Sequence, residues 1–201
     1  MNEQQKNGVS LDGESVGIES GYILAAQVIL YRRVLPSHLQ SSKYYSPILA
    51  LNSDVDIERD ANLEVLLTKR PDNFRHYPGE YVFPGGKQDF EEIKYWDLKR
   101  TGVREVEEEI GVSIDQSQLT YLFTSITTLG ERECRVDMYA APMPYSQTPQ
   151  LSSEVDNLVW GEVNSLIGDH DSSKIKISRI SLEALLSLSK NKGLLKRTGG
   201  D

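Results

Sequence analysis

A mixed α/β sandwich is the fold predicted for this chain, and three observations predict it. Short apolar runs of strand length recur along the sequence, two stretches carry helical periodicity, and the two kinds of segment interleave instead of separating into blocks. The 201 residues leave room for one domain with ragged ends. A hydrophobic share of 38% is modest but builds a core at that length.

Taken in order, residues 1–20 are polar, glycine-bearing and aperiodic, which predicts a flexible tail. Ala25-Ala26-Gln27-Val28-Ile29-Leu30-Tyr31 reads as a buried strand. A Ser- and Tyr-rich loop follows from Pro36 to Pro47, then a strand over Pro47–Leu51 and an acidic loop from Asn52 to Asn62. Leu63–Thr68 is a further strand, and Tyr81-Val82-Phe83 a short one stopped by the turn Pro84-Gly85-Gly86. Asp97–Ile110 turns helical, with Asp97 as N-cap and Gly111 as the C-terminal stop. Leu119–Thr127, Val136–Ala141 and Asn157–Val163 read as strands, the proline-containing stretch Pro142–Ser153 as a loop, and Ile180–Leu188 as a closing helix. The basic, glycine-containing residues 191–201 read as a second flexible tail, leaving 21–190 as the domain.

Composition narrows the function. Thirty acidic against 22 basic residues give a net charge of −8, a poor match to sequence-independent nucleic-acid binding, which depends on neutralising phosphates. No stretch approaches the roughly 20 apolar residues of a membrane span. The opening residues carry no apolar signal segment, and the single cysteine, Cys134, can form neither an internal disulfide nor a cysteine zinc cluster. A cytoplasmic protein with no nucleic acid or membrane partner is the expectation. Self-association stays open, a homodimer included.

The helix carries the chemistry. With Leu98 at zero and about 100° per residue, Gly102, Val106, Ile110 and Val103 fall at about 40°, 80°, 120° and 140° and form the core stripe. Glu105, Glu108 and Glu109 then share a flank at about 340°, 280° and 20°, while Glu107 lies apart near 180°. Partly buried carboxylates at such spacing repel one another and are costly without compensation. Arg104 reaches Glu108 at i,i+4, but one guanidinium cannot neutralise three acids. A hard divalent cation such as Mg²⁺ or Mn²⁺ can, since it prefers oxygen ligands. Gly85 and Gly86, ahead of the helix, let backbone approach a ligand and leave carbonyls free to coordinate metal.

Gly86, then Glu92 after five intervening residues, then Arg104-Glu105-Val106-Glu107-Glu108-Glu109-Ile110-Gly111-Val112, resembles the Nudix box, G-x5-E-x7-R-E-U-x-E-E-x-G-U with U a bulky aliphatic. Every specified residue type is present. The spacer departs from the pattern: eleven residues separate Glu92 from Arg104, and the surplus around Ile93–Trp96 enlarges the loop before the helix. Leu66-Leu67-Thr68-Lys69-Arg70-Pro71-Asp72-Asn73-Phe74-Arg75-His76-Tyr77-Pro78-Gly79-Glu80-Tyr81-Val82-Phe83-Pro84-Gly85-Gly86 is similar to the signature of Nudix coenzyme A diphosphatases, with Pro71 in place of a serine.

The resemblance implies a Nudix-type α/β/α sandwich with a mixed sheet. It also implies a metal-dependent hydrolase that cuts coenzyme A or its thioesters to a phosphopantetheine product and adenosine 3′,5′-bisphosphate. Glu105 and Glu109 would be the principal metal ligands, with Glu108 joining when more than one ion binds and the Gly85 carbonyl nearby; Arg104 would orient the glutamates. The general base would be Glu105 or Glu154, with Glu108 also among the catalytic acids. Arg70, Arg75 and Lys87 would cradle the substrate's phosphates, with Lys69 also near in sequence. His38, His76 and Cys134 carry no expected role. Two alternatives stand beside this reading: hydrolysis of another nucleoside diphosphate derivative such as ADP-ribose or a dinucleotide, and a non-catalytic ligand-binding module.

Overall fold

The computed structural model describes residues 22–34, 62–92 and 97–190. Within them lie strands β1 (Ile23–Val34), β2 (Asn62–Lys69), β3 (Tyr81–Val82), β4 (Gly85–Lys87), β5 (Thr120–Leu129), β6 (Arg132–Pro142) and β7 (Asn157–Glu162). Helices α1 (Lys99–Ile110), α2 (Val163–Asp171) and α3 (Arg179–Lys190) complete the elements, with a 3₁₀ turn at Gln116–Gln118.

The strands form a single 7-stranded sheet in the order β3-β2-β1-β6-β5, with β4 added on β1 and β7 on β2. β1 and β6 run parallel over Ile23–Tyr31, and the other pairings are antiparallel, so the sheet is mixed. Alternation along β1 sorts its side chains to the two faces. Ile23, Ala25, Ile29 and Tyr31 join one core with Val163 and Leu166 of α2 and Ile180, Ala184, Leu185 and Leu188 of α3. Ala26, Val28 and Leu30 join the other with Val106 and Ile110 of α1. Helices thus cover both faces, giving the three layers. Full burial of a side chain such as Ile29 or Ile110 contributes roughly 1.5–3 kcal/mol.

Helix α1 lies close on the sheet because Gly102 faces Val28, where a Cβ would come within 2.9 Å of Val28 Cγ2. Gly111 ends the helix at φ 66°, and its N–H bonds the Glu107 carbonyl. The helix begins at Lys99 after an N-cap at Leu98, one residue later than the cap at Asp97 that the sequence predicts. Asp97 still contributes, since its carboxylate accepts the Lys99 N–H at 2.9 Å.

Three other expectations change. Gly85-Gly86 reads as a turn but forms strand β4, paired through Gly85↔Gln27 and Gly86↔Ala26, because a kink at Pro84 returns the chain to β1. Helix α2 has no counterpart in the sequence reading: it starts directly from β7 with no side-chain cap, and of its nine residues only Val163 and Leu166 are buried. Val163, predicted as strand, is its first residue. The predicted loop at 36–47, the Pro47–Leu51 strand, the acidic loop up to Asn62, the surplus spacer at 93–96, both tails and His38 lie outside the described residues.

Candidate active site

The site assembles where β4 passes beneath α1. On that helix Thr101, Gly102, Glu105, Val106, Glu109 and Ile110 are buried, so the buried arc is centred closer to Glu109 than the apolar residues alone indicate. Glu109 is 2% exposed. Its Oε2 accepts the Gly85 N–H at 3.2 Å, and its Oε1 lies 3.6 Å from Arg70 Nη2. The same Nη2 donates to the Gly85 carbonyl at 3.1 Å. Gly85 therefore meets Glu109 with one end of its peptide unit and Arg70 with the other. Its carbonyl, expected to be free for metal, is engaged by Arg70.

Arg104 organises the second half of the site. It donates to Glu105 Oε1 at 2.9 Å, Glu108 Oε2 at 2.8 Å, Glu92 Oε1 at 3.1 Å and the Lys87 carbonyl at 2.9 Å. Asp89 lies 3.3 Å from its Nε. Its planar fork addresses several acceptors at once, and Glu92 joins Glu105 and Glu108 among the glutamates it meets, although its single charge cannot neutralise all three. Glu109 is not among them. The longer spacer also leaves Glu92 in reach of α1: Glu92 accepts from Arg104, from the Thr101 hydroxyl at 2.7 Å and from the Asp89 N–H at 3.1 Å.

These contacts separate the acids electrically. Burial works to raise the Glu92 carboxyl, yet the hydrogen bonds from Arg104, Thr101 and Asp89 outweigh it and hold the group below the ordinary glutamate value. Burial pushes Glu105 up to about 7, against the pull of Arg104 and with help from Glu108 and Glu154. Burial likewise pushes Glu109 up to about 8, against Arg70 and the Gly85 N–H and with help from Glu105 and Glu154. Two buried carboxyls thus stand beside each other with their charge only partly compensated.

A cavity of about 460 Å³ opens onto this pair. Arg70, Arg75, Lys87 and Glu154 line it together with Gly85, Gly86, Glu105 and Glu109, so most of the predicted site residues meet there. Glu108 does not line it; that side chain is exposed and bound to Arg104. The expected ridge of three converging carboxylates is therefore two, and no group of three or more His, Cys, Asp or Glu is poised around one ion among the described residues. Lys69 pairs with Asp72 at 3.7 Å, away from the cavity wall. His76 and Cys134 do line it; burial pushes the Cys134 thiol up to about 11, which leaves it unreactive. Sequence reasoning passed over Gln27, the one amide within an apolar strand, which also faces the cavity.

The residues fit a hard divalent cation. Their donors are all oxygen, the Glu105–Glu109 pair lacks a full counter-charge, and Gly86, without a side chain, lets β4 pass close against Glu105, whose carboxyl carbon lies 2.5 Å from where a Cβ would stand. Two protein carboxylates suit Mg²⁺ in particular, which keeps other positions for water and substrate phosphate.

The family model of the NUDIX domain matches residues 55–179, and the chain belongs to that family. The match supports a hydrolase of phosphorus anhydrides. Among curated relatives, the peroxisomal coenzyme A diphosphatase ndx-8 of Caenorhabditis elegans is 33% identical over 85 residues, 42% of this chain and 34% of that protein. The mouse peroxisomal coenzyme A diphosphatase NUDT7 is 35% identical over 85 residues, 41% of this chain and 31% of that protein. The matched segments thus span about a third of those relatives' lengths. Among solved structures, a NUDIX hydrolase from Alicyclobacillus acidocaldarius superposes with a TM-score of 0.61 at 16% identity, covering 88% of this chain and 92% of that one. The NUDIX domain of Shewanella oneidensis NrtR, solved with ADP ribose, gives 0.56 at 18% identity, covering 90% and 95%. Both bear out the Nudix-type α/β/α sandwich.

Proposed function

We propose that this protein hydrolyses the diphosphate bond of coenzyme A or its thioesters with Mg²⁺ or Mn²⁺, releasing a phosphopantetheine product and adenosine 3′,5′-bisphosphate. One observation carries the reading. Arg70, from the segment similar to coenzyme A diphosphatases, and Glu109, from the acidic helix, meet on the two ends of Gly85. The two motifs of the sequence are one site in space. The partial similarity to coenzyme A diphosphatases lends support from a separate direction.

A diphosphate is anionic and repels nucleophiles, so its hydrolysis needs charge neutralised and a water activated. A divalent ion, when bound by Glu105 and Glu109, supplies both. The chain's own groups do the rest. Arg70 and Arg75, joined by Lys87, face the cavity as cations for the diphosphate oxygens. Arg104 stays with Glu92, Glu105 and Glu108 and positions the helix carboxylates without touching substrate. Glu154, exposed on the loop before β7 yet lining the cavity, takes the proton of the attacking water. The water oxygen bonds to phosphorus, the bridging P–O bond breaks, and the displaced phosphate leaves with the other half of the substrate.

A substrate panel with Mg²⁺ or Mn²⁺, read by mass spectrometry, tests the reading. Release of adenosine 3′,5′-bisphosphate from coenzyme A supports it. Cleavage of ADP-ribose or dinucleotides alone replaces the substrate, and no cleavage of any member replaces the enzyme with a binding module.

A further inference from the structure

The cavity changes character away from the acidic pair. Part of its wall is apolar, formed by Ala25, Val136, Cys134, Leu129 and Ile180, with Lys87 opposite Ala25 in the sheet. Gln27 sits at the junction. In the sheet it stands directly opposite Gly85, whose N–H and carbonyl engage Glu109 and Arg70. Gln27 is 8% exposed, and its Oε1 is buried without a hydrogen-bond partner among the described residues. A buried amide oxygen left unpaired is unfavourable, and most such groups in folded proteins are satisfied. Ala25, a small side chain on the same face of β1, lies beside it, and both residues line the cavity.

We infer that Gln27 determines specificity through a hydrogen bond between its side-chain amide and an amide or amino group on the organic part of the substrate, next to its diphosphate. Two parts of the proposed substrate carry that chemistry, the amide of an acylated-amine arm and the amino edge of adenine, which a glutamine amide pairs well. The inference rests on the proposed diphosphate substrate, and direct binding separates the failure of one from the failure of the other.

The experiment compares wild-type protein with Gln27→Leu, measuring calorimetric affinity for 4′-phosphopantetheine and for adenosine 3′,5′-bisphosphate, and KM and kcat on the panel. The expected result is an approximately tenfold weaker Kd for one fragment with the other unchanged, and a matching rise in KM with kcat held. Loss confined to 4′-phosphopantetheine assigns the partner to the amide arm; loss confined to the adenosine fragment assigns it to adenine. The melting temperature of the metal-free variant should hold or rise, because an unpaired buried acceptor has gone. Should Gln27→Leu fail to fold, Gln27→Met retains the unbranched shape and replaces it. Selective loss of fragment affinity without turnover of coenzyme A sustains the inference while removing the proposed substrate. Unchanged affinity for both fragments, or no binding of either to the wild type, overturns it.

Discussion

The Glu109 carboxylate accepts the Gly85 N–H at 3.2 Å while its other oxygen lies 3.6 Å from Arg70, so a side chain with 2% exposure touches both a backbone turned toward the cavity and a cation that lines it. A buried acid in that setting is ordinarily a liability. Glu109→Gln keeps the shape and the contact to Gly85 but removes the charge that holds a divalent ion. Turnover should fall by more than about 100-fold, while the metal-free variant folds normally by circular dichroism. Activity equal to wild type would remove Glu109 from the ligand set.

The same burial makes metal-free stability depend on pH. Burial pushes Glu105 up to about 7 and Glu109 up to about 8 in the folded chain, against an ordinary glutamate value of 4.5, so the folded state holds more protons than the unfolded state between those limits. Stability from these two groups is fully present below about pH 4.5 and is lost as pH rises through 7 and 8. Urea denaturation of the metal-free protein should therefore show a lower midpoint at pH 8.5 than at pH 6 from these groups, with Mg²⁺ narrowing the difference. In Glu109→Gln the decline should be smaller.

Arg104 joins Glu92, Glu105 and Glu108 through its planar fork, and an ammonium cannot reproduce that geometry. Arg104→Lys should lower kcat by about 10- to 100-fold with the fold retained. Arg104→Ala should also destabilise the protein by about 2 kcal/mol in urea titrations, since several acids lose their shared partner.

Gly86 has no room for a side chain. A Cβ there would lie 2.5 Å from the Glu105 carboxyl carbon. Gly86→Ala should displace Glu105 and weaken Mn²⁺ affinity by at least about tenfold, with a change in melting temperature of only a few degrees. Gly85→Ala should be worse for the fold, because Gly85 adopts φ 154° and its Cβ would meet the β1 backbone at Ala26 and Gln27.

How much of this was legible in the sequence follows from how local each feature is. Helix α1 and its stop at Gly111 were legible because periodicity and a left-handed cap are properties of a few consecutive residues. Burial of Glu105 and Glu109 was only half visible: apolar residues alone centre the arc toward Val103, and the strand that covers the acids, β4, reads locally as a turn. β4 exists through its long-range pairing with β1, which no neighbouring residue announces. Glu108 illustrates the converse, since its wheel position beside Glu105 and Glu109 says nothing of Arg104 drawing it outward. The cavity face of Gln27 depends on β6 and α3 closing around β1, so its polar character in an apolar run was the only early signal.

The central claim is that Glu105 and Glu109 tolerate each other in the buried site because they bind a divalent cation. Calorimetric titration of Mn²⁺ into wild-type protein and into Glu109→Gln at pH 7, in two buffers of different ionisation heat, tests it most directly. The account predicts saturable binding to the wild type with net proton release, and at least about tenfold weaker binding to the variant. Equal binding by both proteins, or no binding by the wild type at millimolar Mn²⁺, would contradict it.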